Sequence, residues 1–152
     1  MSTFIGKYEA KADVKGRVFI PSTYRKLLPE GMRDRVVLRK DPDNDCLIIY
    51  PEPVWNQKVE TLKASLDEWD SEDQLLLMQF VSDADVLEID SQGRVLLAKK
   101  HLTQIGIENN EVLFVGMMDR FAVWGKQNYE NSKLLSADFA SKLKEKMAKK
   151  QL

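Results

Sequence analysis

The chain has 152 residues, 43% of them hydrophobic and 31% charged, a balance that suits a folded protein with a buried core and excludes an intrinsically disordered one. No run approaches the roughly 18 consecutive apolar residues of a membrane span, and Met1-Ser2-Thr3-Phe4-Ile5-Gly6-Lys7 offers no apolar stretch of the secretory type. The net charge of −1 hides a basic start, with ten Lys/Arg against four Asp/Glu over residues 1–40, an acidic middle, with two against fourteen over 41–90, and a basic end, with eleven against six over 91–152.

That asymmetry is compatible with a basic face contacting phosphates, or with pairing of opposite charges between subunits; a solvated helical surface is the plainer account of the acidic middle. A single cysteine, Cys46, excludes an internal disulfide and a cysteine-based metal cluster. The expected location is a reducing cytoplasm.

In chain order, Tyr8–Ala12 is an extended run ending at the turn Asp13-Val14-Lys15-Gly16. There the Asp carboxylate can accept backbone N–H groups and Gly can supply a positive φ. A strand over Arg17–Ile20 follows, then a short helix opened by Pro21. Arg35–Lys40 and Cys46–Tyr50 form a hairpin across Asp41-Pro42-Asp43-Asn44-Asp45. Beyond Pro53, residues Trp55, Val59, Leu62 and Leu66 lie on one helical face, and Ser71-Glu72-Asp73-Gln74 reads as a capping box opening a helix to about Val81.

The pattern then starts again. Val86–Ile89 is extended, Asp90-Ser91-Gln92-Gly93 is a turn, and Arg94–Leu97 is a strand. A short helix ended by Gly106 follows, and Glu111–Met117 and Arg120–Trp124 form a hairpin across Met118-Asp119. Last comes a basic amphipathic helix in which Phe139, Leu143 and Met147 recur every four residues among Lys142, Lys144, Lys146, Lys149 and Lys150, suited to docking on the fold or on a neighbour.

Asp13-Val14-Lys15-Gly16-Arg17-Val18-Phe19-Ile20 and Asp90-Ser91-Gln92-Gly93-Arg94-Val95-Leu96-Leu97 share D-x-x-G-R followed by three apolar residues, 77 positions apart. Residues 21–28 correspond to 98–105, Val36-Val37-Leu38 to Val112-Leu113-Phe114, and residues 47–50 to 121–124. Four matching segments in one order indicate a duplicated unit. The expected organisation is a first unit at 5–54, connecting helices at 55–82, a second unit at 83–126 and C-terminal helices at 127–152.

The paired D-x-x-x-R motifs, Asp13–Arg17 and Asp90–Arg94, in matching strand–helix–hairpin contexts across the whole chain, resemble the MraZ family, relatives of the SpoVT-AbrB swapped-hairpin DNA-binding proteins. The resemblance implies an α+β fold in which two swapped-hairpin units interleave as a double-split β-barrel with flanking helices. It also implies a ring homo-oligomer acting as a bacterial transcriptional regulator of the division and cell-wall gene cluster. Short G-rich direct repeats of double-stranded DNA would be its operator, and the nucleoid its place.

A hairpin tip held by Asp and Gly can aim its Arg outward, and a two-stranded ribbon fits a major groove, where the planar guanidinium reaches guanine O6 and N7 together. Arg17 is the first candidate for base contact, with an intrachain pair to Asp13 as the rival role. Arg94 is its counterpart, with buttressing of the interior or of a subunit seam as the rival. Lys7, Lys11 and Lys15 could line one strand face and touch phosphates, or be ordinary exposed lysines. Arg25, with Lys26, could extend that surface. Asp13, Gly16, Asp90 and Gly93 are read as turn formers rather than as a catalytic carboxylate pair, Cys46 as a packed thiol, His101 as filler of core or surface, and Trp55, Trp69 and Trp124 as packing or interface residues.

No phosphate loop, nucleophile elbow or metal-ligand spacing is present in the sequence. Neither a cofactor, a small-molecule substrate nor a membrane is expected, and no enzymatic activity. The reading is a DNA-binding regulator; its rival is a non-catalytic ring-forming scaffold that binds protein, with Arg17 and Arg94 at subunit seams.

Overall fold

The computed structural model describes residues 3–31, 34–107 and 109–150. The first half of the chain runs β1 (Lys7–Lys11), β2 (Arg17–Phe19), α1 (Ser22–Leu27), β3 (Arg35–Lys40), β4 (Cys46–Pro51), α2 (Glu52–Ala64) and α3 (Ser71–Ser82). The second repeats that order as β5 (Ala84–Glu88), β6 (Arg94–Leu96), α4 (Lys99–Gln104), β7 (Glu111–Gly116), β8 (Phe121–Trp124), α5 (Lys126–Ser132) and α6 (Ser136–Lys150). The fold is α+β, with an antiparallel sheet and flanking helices.

Six strands form one sheet in the order β1-β7-β8-β4-β3-β5, and β2 pairs with β6 in a separate ribbon. Reading the six-strand order backwards gives the same order with the halves exchanged, so a pseudo-twofold axis passes between β4 and β8. The halves trade strands: β1 pairs with β7 of the other half, and β5 pairs with β3. Opposite charges face each other at matching places in these two pairings, with the sign reversed. Lys11 lies opposite Glu111, and Glu88 opposite Arg35.

The sheet separates two apolar clusters, as strand alternation requires. The inner one holds Phe4, Val18, Ile20, Tyr24, Leu38, Ile49, Val95, Leu97, Ile105, Phe114, Phe121 and Val123, between the sheet and the layer formed by the ribbon, α1 and α4. The outer one holds Val37, Cys46, Ile48, Tyr50, Trp55, Leu113, Ala122 and Trp124, under α2, α3 and α5. With apolar layers on both sides, β4 and β8 are buried along their whole length, which explains their unbroken apolar sequences. Burial pushes the Cys46 thiol up to about 12, as expected of a packed cysteine.

Local chemistry moves a few ends from where the sequence puts them. α3 is capped by Asp70, not Ser71: its carboxylate accepts the Asp73 N–H at 3.0 Å, while Asp73 reaches back to the Asp67 N–H at 2.8 Å. α2 stops at Ala64, so Leu66 lies beyond the helix whose face it extends in the sequence. β7 ends at Gly116 because Met118 adopts a positive φ of 68° in the turn to β8. No helix of the described residues is long and apolar enough to cross a membrane.

Candidate nucleic-acid interface

Both D-x-x-G-R segments fold into the same turn. Asp13 Oδ1 accepts the backbone N–H groups of Lys15 and Arg17, each at 2.9 Å, and its Oδ2 takes Arg17 Nε at 2.7 Å. Asp90 does the same for Gln92 and Arg94, with the Arg94 Nε contact at 2.8 Å. Gly16 and Gly93 close the turns at φ 91° and 85°, in the region that favours glycine. The backbone N–H groups of Arg17 and Arg94, ahead of the guanidinium contacts, hold these two carboxyls below the usual carboxylate range.

The turns are stitched together by the ribbon. Arg17 lies opposite Leu96, Val18 opposite Val95 and Phe19 opposite Arg94. Beyond these pairs, Ile20 N–H donates to Gly93 O and Leu97 N–H to Gly16 O, at 3.0 and 2.8 Å. Alternation sends Val18 and Val95 into the inner core and turns Arg17, Phe19, Arg94 and Leu96 to the other face. That face therefore carries two guanidinium groups on a diagonal, interleaved with two half-exposed apolar side chains.

Each guanidinium is held from its side. The bond to Asp engages Nε, and the Nη atoms of Arg17 and Arg94 have no hydrogen-bond partner among the described residues. The Nη edge, a fork of the geometry that can pair with a guanine edge, is thus left open while its orientation is fixed. The two are not equivalent. Arg94 lies over the Phe19 ring at 5.8 Å and its side chain is 21% exposed, whereas Arg17, facing Leu96, is 39% exposed.

The other sequence candidates distribute differently. Lys15 sits exposed at the tip of the first turn, where the second has Gln92. Lys7, Glu9 and Lys11 share the outer face of β1: Lys7 lies 5.3 Å from the Tyr129 ring, Glu9 is paired with Lys126 at 2.9 Å, and Lys11 lies opposite Glu111. Their face of β1 is the one opposite Tyr8 and Ala10, which pack on the inner cluster. Arg25 folds across the second turn, its Nε donating to Ile20 O at 3.1 Å and Nη1 to Gln92 O at 3.4 Å. It joins α1 of one half to the hairpin of the other.

His101 is buried, with Nε2 2.8 Å from Asp85 Oδ2. That bond, followed by the charge of Lys100, lowers the Asp85 carboxyl. Among the described residues no three His, Cys, Asp or Glu side chains form a group able to hold a metal ion. Sequence reasoning missed the outward turn of Phe19 and Leu96. The signal was present: in a strand, positions two apart from Arg17 and Arg94 must share their face.

The family model described as "MraZ protein, putative antitoxin-like" matches residues 3–77 and again 80–150. The chain belongs to the MraZ family. It is 40% identical over 147 residues to the transcriptional regulator MraZ of Bacteroides fragilis, covering 97% of this chain and 92% of that one. The Bacteroides thetaiotaomicron protein of the same name is 41% identical over 147 residues, covering 97% and 94%. That of Acetivibrio thermocellus is 33% identical over 145 residues, covering 95% and 96%. The double match of the MraZ model agrees with the two D-x-x-G-R turns and with the repeated order of elements.

Proposed function

We propose that the chain is a sequence-specific DNA-binding transcriptional regulator without catalytic activity, and that the outer face of the β2–β6 ribbon is the surface laid into the major groove. The observation that carries this reading is the side-on grip of Asp13 on Arg17 and of Asp90 on Arg94, which orients both guanidinium groups and leaves their Nη atoms for base edges. Phe19 and Leu96 between them suit thymine methyl groups or sugar edges, and Lys15 at the first tip suits a phosphate. The regulator names carried by the relatives agree with it.

The finer parts belong to the same proposal. The exchange of β1 and β5 between halves, with the ribbon across the inner face, supports a double-split β-barrel of two swapped-hairpin units. Short G-rich direct repeats suit arginines that read guanine, and a ring of identical subunits would place one ribbon on each repeat, multiplying weak contacts through effective concentration. The genes controlled would be those of division and the cell wall, and the working location the nucleoid. Segregation of charge along the sequence, with Asp67, Glu68, Asp70, Glu72 and Asp73 gathered in the α2–α3 connection and the start of α3, supports a ring that turns that cluster away from DNA.

The half-exposed Phe19 and Leu96 beside the arginines favour one other reading, a ring scaffold that binds protein through the ribbon. Gel shift of a G-rich repeat duplex with wild type, Arg17→Ala and Arg94→Ala, with assembly mass followed by light scattering, separates the two. Lost binding at unchanged mass supports DNA contact. Unchanged binding removes the ribbon from the DNA surface, and a collapsed assembly assigns the arginines to subunit seams.

A further inference from the structure

Two helices keep apolar faces that nothing among the described residues covers. α3 contains Leu75, Leu76, Leu77, Met78, Phe80 and Val81, yet has no buried residue. Phe80 stacks on Trp55 at 5.3 Å and joins the outer cluster, while Leu75, Leu76, Met78 and Val81 stay exposed. A helix that is apolar all round belongs in an interior. Trp69, in the connection from α2, is 89% exposed.

α6 has the matching deficit. Every side chain from 136 to 149 is exposed, including the stripe Phe139, Leu143 and Met147. A helix of 15 residues is marginal by itself in water, so this one requires a surface for its stripe.

The charges decide between occupants. Residues 64–82 hold five Asp/Glu and no Lys or Arg, and Asp67, Glu68, Asp70 and Glu72 are exposed where the α2–α3 connection enters α3. Lys142, Lys144, Lys146 and Lys149 border the α6 stripe. Within one chain the two faces remain apart, each in solvent.

We propose that α6 of one copy docks on α3 and the α2–α3 connection of a second copy. Its Phe139–Leu143–Met147 stripe covers Leu75, Met78 and Trp69, and its lysines face the Asp67–Glu72 segment. Each copy carries one docking helix and one receiving surface, so the contact is head-to-tail, the kind that closes into a ring when the rotation per subunit closes. The inference rests on the self-association proposed above and supplies its interface.

The test uses the full chain and two variants on surfaces outside both cores, Leu143→Glu and Leu75→Glu, compared with wild type by light scattering at equal concentration, with circular dichroism confirming the fold. The expected result is a multimeric wild type and two variants that each fall to the 17.5 kDa of one chain. Mixed in equal amounts, the variants should form a dimer and stop there, because one intact α6 meets one intact α3.

Variants that keep the wild-type mass overturn the docking and leave the ring standing, and if α6 Leu143→Glu then loses affinity for duplex DNA instead, the helix belongs to the phosphate surface. Monomeric variants that fail to dimerise on mixing also overturn it, since docking would then lie within one chain or elsewhere. A monomeric wild type overturns both the docking and the ring.

Discussion

Val18 and Val95 face each other at the centre of the ribbon, and the pseudo-twofold axis through that pair carries Arg17 onto Arg94. The two candidate base-reading groups are therefore related by the same symmetry as the sheet beneath them. The axis does not make them equal, because one faces Leu96 and the other lies over Phe19.

Loss of either guanidinium should weaken operator binding. Arg17→Ala and Arg94→Ala each remove one forked contact, worth about 1–3 kcal/mol of discrimination, while Val18 and Val95 keep the ribbon seated in the core. Lysine at either place should restore attachment more than selectivity, since its point charge lacks the fork. Phe19→Leu, which removes the ring over Arg94, should bring the loss on Arg94→Ala toward that on Arg17→Ala. Fluorescence anisotropy with matched and single-mismatch duplexes measures all three.

The turns should fail in acid. Asp13 and Asp90 are lowered in the fold, so their stabilising contribution is complete above the unfolded carboxylate value of about 3.9. It is lost as pH falls through the still lower folded values. NMR titration of the Arg17 and Arg94 Nε–H signals should show both bonds intact from neutral pH down to the ordinary carboxylate value of about 3.9 and each released only below it. Asn at position 13 or 90 should remove the transition at its own turn.

Gly16→Ala and Gly93→Ala should differ in cost. Both place a side chain at positive φ, about 1–2 kcal/mol unfavourable. At Gly16 the new Cβ collides with the Leu97 backbone carbonyl, which the ribbon fixes; at Gly93 it meets the end of the flexible Arg25 side chain. Gly16→Ala should be the more destabilising in urea unfolding. Arg25→Ala should recover part of the Gly93→Ala loss and none of the Gly16→Ala loss.

Asp85→Ala should destabilise through a residue it leaves untouched. His101 is buried with Nδ1 already unpartnered among the described residues, and Asp85 supplies its one bond. Removing it adds an unsatisfied buried polar group, about 1–3 kcal/mol, or several degrees in Tm for a chain of this size. Differential scanning calorimetry reads the shift, and Asp85→Asn, which can still accept from Nε2, should recover most of it.

The sequence carries the elements and both Asp–Gly–Arg turns because these depend on near neighbours: alternation for the strands, a carboxylate and a glycine within four residues for the turns. Partnerships are less legible. Nothing in Lys7–Lys11 says that it pairs with β7 rather than β3, and Arg25 crosses 67 residues of sequence to reach Gln92. The cap of α3 shows a competition that spacing cannot resolve, with Asp70 and Ser71 adjacent and both able to accept. At the ribbon, the three apolar residues after each Arg look like one buried run, whereas the pleat turns the middle one, Phe19 or Leu96, outward.

The trading of strands between halves has a consequence for how the surface can change. Two identical polypeptides arranged about such an axis would have to accept every substitution twice. Here the paired positions sit in one polypeptide and differ: Lys15 against Gln92, Tyr24 against His101, Arg25 against Leu102. A single chain thus lets each half specialise while obliging both to remain joined, since a severed half would forfeit the neighbour of its outermost strand.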